Sequence, residues 1–264
     1  MKSVIFAVCL PSLAIAFATK PSHQQRRGQN VGLNAESSSS RQPWELGRFV
    51  QQSSKFVNLN PLAQKAVKQE ILPGDVVWEP SDAPQFRFGP LDDVVMGGVS
   101  ASTFDNTSGK WTGSVTDANN GGFVGIRSFP NVELDMTQCT GLEVELKQNN
   151  TPCGTRRYKI SLRDSTDFNG IVWACSVNVQ GGNQNPILRL FDSDATTTTT
   201  TTVRIPFDKL QATKFANIVP NQKLSEGNVV AFQLTYSKFE YNGNLNPNFV
   251  QGDVDLQILK IRAY

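Results

Sequence analysis

The stretch LDDVVMGGVSASTFDNTSGKWTGSVTDANNGGFVGIRSF, residues 91–129, carries an adjacent acid pair, two glycine pairs and alternating apolar positions within one short run. Gly97-Gly98 permits a positive φ or a close backbone approach between two strand-like pieces, and Asn119-Asn120-Gly121-Gly122 is a strong turn signal. That turn separates Lys110–Thr116 from Phe123–Phe129, two runs with the period of a strand, so the pieces are expected to pair as hairpins. Asp92, Asp93, Asn119, Asn120 and Arg127 would then gather near loop ends, as a candidate binding site or as turn-forming groups, with Arg127 able to pair with either acid. Gly97-Gly98 runs on into Val99-Ser100 rather than Lys-Ser or Lys-Thr and no helical pattern follows, which excludes a phosphate-binding loop of the Walker type.

The same two-residue period continues downstream. Leu142, Val144 and Leu146 alternate with Glu143, Glu145 and Lys147; Tyr158, Ile160 and Leu162 alternate with Lys159, Ser161 and Arg163. Further strands are expected over 170–177, 198–207, 229–236 and 254–261, separated by Gly, Asn, Asp and Pro clusters. Many short strands with hardly a helix between them imply an antiparallel sandwich or jelly roll. Trp111, Phe123, Trp173 and Phe232 are expected to fill its interior. The threonine run 196–202 leads into Val203-Arg204-Ile205 and reads as a loop passing into a strand. Asp164 and Asp167 are a conceivable carboxylate pair, although spacing along one loop says little about separation in space.

Upstream the period changes. Leu46, Phe49 and Val50, and again Leu62, Ala66 and Val67, recur at helical spacing, and Asn60-Pro61 supplies a cap followed by proline. Two short amphipathic helices are expected over 44–73, the second ended by Pro73-Gly74, before Val76-Val77-Trp78 opens the β-rich body at 74–264.

Residues 1–43 have another character. Lys2, the apolar run Val4–Leu10 and Ala14-Ile15-Ala16 describe a signal peptide, and the following stretch, rich in Ser, Gln and Arg, fits a transit peptide. The leader with Phe17 after Ala16 resembles the bipartite plastid presequence of diatoms and related algae; a simple secretory signal and a mitochondrial address are the alternatives. The expected location is the plastid, with a mitochondrion second.

Across all 264 residues the formal net charge is +2, but residues 1–40 hold four cations against Glu36, leaving 21 basic and 22 acidic residues beyond them. That balance disfavours nucleic acid as a partner. Cys139, Cys153 and Cys175 are an odd set without CxxC spacing, read as buried or free thiols of a reducing compartment. His23, the single histidine, lies in the leader, so the body has no imidazole for a catalytic triad or a histidine-ligated metal.

Residues 92–100 (DDVVMGGVS), Trp111–Val115, NNGGF at 119–123 and Arg127-Ser128 together closely resemble the signature of the complex I intermediate-associated protein 30 family, with looser similarity from Trp78 to Tyr264. The resemblance implies an all-β, galactose-binding-like jelly roll. It also implies an assembly factor that contacts incompletely assembled protein subunits of a membrane complex, with no catalytic residues, metal or cofactor to carry over. A carbohydrate-binding module working through Asp92, Asn119 and Arg127 is the alternative.

Overall fold

In the computed structural model, residues 46–54, 68–129, 133–149, 154–181 and 200–264 are described. Leu46–Ser54 forms helix α1. The strands are β1 Lys68–Glu70, β2 Val76–Trp78, β3 Phe88–Pro90, β4 Ala101–Asp105, β5 Lys110–Val115, β6 Phe123–Ser128, β7 Glu133–Asp135, β8 Gly141–Gln148, β9 Thr155–Arg163, β10 Val172–Gln180, β11 Thr200–Pro206, β12 Gln211–Lys214, β13 Asn217–Ile218, β14 Ala231–Ser237 and β15 Gly252–Ala263. Seven strands pair in the order β13-β12-β10-β9-β14-β6-β3; a second sheet runs β11-β8-β15-β5-β4, with β2 joined to β15. The chain passes repeatedly from one sheet to the other, and the sheets bury their facing sides against each other: the expected all-β sandwich.

Alternation decides which side chains face inward. Tyr158, Ile160 and Leu162 on β9 and Phe232, Leu234 and Tyr236 on β14 are buried from one sheet; Leu142, Val144 and Leu146 on β8 and Val254, Leu256 and Ile258 on β15 meet them from the other. A bulge between Ile258 and Lys260 inserts one residue into β15, so that Ile261 and Ala263 again face the core. An aromatic cluster closes one end: Phe86 stacks on Phe232 at 5.1 Å between ring centres, Trp78 meets Phe88 edge-on, and the Trp78 Nε1 donates to Phe86 O at 2.9 Å.

Three expectations are corrected. The second helix does not run to Pro73-Gly74: Lys68–Glu70 is a strand pairing in parallel with β7, and Leu62, Ala66 and Val67 lie outside the described residues. Its three side chains are all exposed, so the pairing and not the pattern makes it a strand. Next, β5 and β6 do not form a hairpin. β5 pairs with β4 and β15, β6 with β14 and β3, and the Asn-Asn-Gly-Gly segment carries the chain across the sandwich from one sheet to the other. Finally, Trp111, Trp173 and Phe232 are buried as expected, whereas Phe123 is half-buried on the outer face of the seven-stranded sheet, sharing that face with Gly125 and Arg127. Cys139 and Cys175 are free thiols; Cys153 and the threonines before Thr200 lie outside the described residues.

Candidate functional site: the acid and glycine corner

The acidic pair opens a one-turn 3-10 segment, Asp93–Met96, and both carboxylates turn inward, with Asp92 0% and Asp93 1% exposed. Asp92 Oδ1 accepts the Ser102 hydroxyl at 2.6 Å and the Gly125 amide at 3.3 Å; its Oδ2 accepts the Ser102 amide at 2.9 Å and Gln52 Nε2 at 3.0 Å. Gln52 completes a two-point contact by accepting the Asp92 amide at 2.9 Å, which latches α1 onto the sandwich. Burial raises the Asp92 pKa above the usual carboxylate value, outweighing the hydrogen bonds from Ser102, Gln52 and Gly125 that lower it.

Asp93 ties together the two glycine pairs. Its Oδ1 accepts the Ser100 amide at 2.9 Å, and its Oδ2 accepts the Ser100 hydroxyl at 2.7 Å, the Gly122 amide at 2.7 Å and the Phe123 amide at 3.3 Å. Each pair divides its labour in the same way. Gly97, at φ 91, ends the 3-10 turn in the left-handed region, and Gly122, at φ 128, bends the chain into β6. Gly98 and Gly121 instead make room for the acid. A Cβ on Gly98 would fall into the Asp93 carboxyl group, 2.7 Å even from its farther oxygen, and one on Gly121 would lie 3.0 Å from Asp93 Cγ and closer still to Oδ2. The glycines of the motif are thus shaped around one carboxylate.

Asn119 and Asn120 supply backbone geometry to the same corner, with φ 57 and 61, a region asparagine tolerates better than most residues. Arg127 is placed elsewhere. It projects from the outer face of the seven-stranded sheet, donates Nε to Gln233 Oε1 at 3.0 Å and lies 5.1 Å from the centre of the Phe168 ring. Burial, then the charge of Arg163, pushes its pKa down to about 9. Among the described residues, the acids are held by neutral donors, Ser100, Ser102, Gln52 and backbone amides, where Arg127 was expected. Of the five candidates the structure therefore joins Asp92, Asp93, Asn119 and Asn120 in one corner.

A loop-end sugar site using Asp92 does not survive this geometry, because that carboxylate is enclosed and occupied. The three described tryptophans, Trp78, Trp111 and Trp173, are buried too, which leaves none of them as a stacking platform. Beside Arg127 and Arg163 is a cavity of about 10 Å³, water-sized and far below a sugar ring. Asp167 holds its own turn, its Oδ1 accepting the Asn169 amide, whereas Asp164 Oδ2 accepts the Ser225 amide from a separate loop. Sequence reading overlooked Ser100, Ser102 and Gln52. The S-x-S spacing was the available signal, since alternate positions along extended chain share a face.

The profile of the complex I intermediate-associated protein 30 family matches residues 78–258. The chain belongs to that family. The matched span begins at Trp78 and so includes the whole corner but not α1, which reaches it from outside. Comparison with curated protein sequences gives no match. Among solved structures, the chain is similar to the family 11 carbohydrate-binding module of a cellulosomal cellulase of Clostridium thermocellum, at 11% identity and a TM-score of 0.42, covering 73% of this chain and 96% of that one. It is also similar to an exo-beta-agarase, at 8% identity and a TM-score of 0.38, covering 72% of this chain and 25% of that one. Similarity that low transfers no ligand to this chain.

Proposed function

We propose that this protein is an assembly factor without catalytic chemistry of its own, which holds unassembled protein subunits while a membrane complex is built. The complex is of NADH dehydrogenase type or a plastid photosynthetic one. The observation that carries this reading is the fate of the family signature. Its two acids are taken up by Ser100, Ser102, Gln52 and backbone amides, in a closed corner that exposes neither carboxylate to a substrate. Membership in a family associated with complex I assembly supplies the client class. The reading has subunits met through the sandwich surface and the segment 44–72; no helix among the described residues is long and apolar enough to cross a membrane.

The leader assigns the work to a plastid, with a mitochondrion as the other address. Residues 1–43 fused to a fluorescent protein in a diatom cell test this: plastid fluorescence that collapses to the secretory system on Phe17→Ala is expected, and mitochondrial fluorescence would contradict it. The functional reading is tested by deleting the gene. One membrane complex should be lost at the protein level while transcripts of its subunits stay normal; unchanged levels of every such complex would defeat the proposal.

A further inference from the structure

The hairpin β12–β13 turns on Phe215 and Ala216, flanked by the pairs Lys214↔Asn217 and Thr213↔Ile218. Both turn residues have positive φ, 49 and 61. Two-residue turns of this kind favour asparagine and glycine, and a bulky aromatic there is a backbone outlier. Such strain persists where the surroundings enforce it, and it collects at functional sites. The enforcing contact is visible. Asn242, from the loop after β14, donates its amide to Ala216 O at 2.9 Å and accepts the Ile218 amide on its side-chain oxygen at 2.8 Å. That second loop is itself pinned by a bridge between Phe239 and Leu245. Two clasped loops thus present Phe215 at 71%, Leu245 at 65% and Ile218 and Phe239 at 41% exposure.

From these features we infer that the Phe215 tip, with Leu245, Ile218 and Phe239, docks on the surface of an anionic lipid bilayer. Size and charge select this occupant. The four side chains expose roughly 400 Å² at about 150–200 Å² per large side chain, half the ~800 Å² per partner that a standard protein interface uses. Loop tips also lack the groove a peptide or helix would need, whereas an interfacial layer accepts any protruding apolar group. Within residues 211–218 and 237–250 the charged side chains are Lys214, Lys238 and Glu240. Lys238 is paired with Asp117 at 3.0 Å, and Glu240 is engaged by Arg157 and Ser176, which leaves exposed Lys214, next to Phe215, to meet a negative headgroup.

This goes beyond the assembly reading and does not rest on it, since vesicle contact holds or fails whatever subunits co-purify. The test is hydrogen–deuterium exchange on the full chain with vesicles of phosphatidylcholine alone or with phosphatidylglycerol. The apolar run Val4–Leu10 can itself hold the chain on a vesicle, so exchange at the tip is the reading and sedimentation is not. Amides 214–218 and 239–245 should exchange about ten-fold more slowly with the anionic vesicles and less so with the neutral ones. Phe215→Asn should abolish the protection while keeping or raising the thermal midpoint, because asparagine suits positive φ, and Lys214→Glu should remove the preference for anionic lipid. Tip exchange that anionic vesicles leave unchanged would overturn the inference, whether or not the chain sediments. So would protection that persists in Phe215→Asn, or protection produced by protein subunits and not by lipid.

Discussion

Replacing Asp93 with asparagine keeps the side chain's shape and exchanges one acceptor oxygen for a donor. Four donors converge on that carboxylate: the Ser100 amide and hydroxyl and the amides of Gly122 and Phe123. The hydroxyl can turn, but whichever way the new amide lies, at least one buried backbone N–H faces an NH₂ group. Orphaning such a donor costs about 1–3 kcal/mol, and loss of the charge assistance adds to it. Asp93→Asn should therefore destabilise by about 2–4 kcal/mol, and at about 2–4 °C per kcal/mol for a domain of this size the midpoint should fall by roughly 5–15 °C. A double-mutant cycle separates this account from generic core damage. Gly98 lies outside the positive-φ glycines, so its obstacle to a side chain is the Asp93 carboxyl itself. Gly98→Ala should destabilise the wild type markedly and cost about 1–3 kcal/mol less once Asp93 is alanine. Thermal and urea unfolding supply the numbers. Asp93→Asn within about 0.5 kcal/mol of wild type, or a Gly98→Ala cost indifferent to Asp93, would refute the reasoning.

Gln52→Ala removes its own two hydrogen bonds to Asp92, so limited proteolysis should cut within residues 46–54 sooner, with a stability loss of about 1–3 kcal/mol; unchanged cleavage would mean the latch is unimportant. The Asp92 carboxyl, its pKa raised by burial above the unfolded value of 3.8, binds its proton more tightly in the native state. Wild-type stability should thus gain relative to Asp92→Asn as pH falls through the raised value toward 3.8. Asp105, Asp117 and Asp135, whose pKa values are lowered chiefly by hydrogen bonds from Ser108, Lys238 and Thr137, act oppositely in both proteins and cancel in that difference. Arg156 is 1% exposed, 4.9 Å from the centre of the Tyr236 ring, and its Nε and Nη1 find no hydrogen-bond partner among the described residues. Arg156→Met should match or exceed wild-type stability by about 1–3 kcal/mol; a loss of similar size would show that the guanidinium serves an unseen acceptor.

The strands were legible where one face is apolar and the other charged, as in Leu142–Lys147 and Tyr158–Arg163, because burial on one side leaves its period in the chain. Asn119–Gly122 announced a turn correctly and its topology wrongly. Turn chemistry encodes where the backbone bends, whereas the sheet joined by Phe123–Ser128 depends on partners more than 100 residues away on β14. Lys68–Glu70 has no pattern at all and is a strand because β7 lies beside it. Phe88–Pro90 and Gln211–Lys214 are too short to show a period. The corner was located by its residue types, yet sequence alone left Asp92 and Asp93 open as ligands or turn formers. Only packing shows that glycines at 98 and 121 exist to admit a carboxylate, and that Arg127 answers to Gln233 and Phe168. Phe215 gave no signal, since Phe-Ala at the two central positions is not the asparagine or glycine its turn geometry favours.

The assembly reading is tested most directly by affinity purification of the tagged protein from organelles, followed by mass spectrometry. The account predicts subunits of one membrane complex recovered in unequal, substoichiometric amounts and without the finished complex. Recovery of no such subunits, together with a specific millimolar-or-tighter signal on a glycan array, would contradict it.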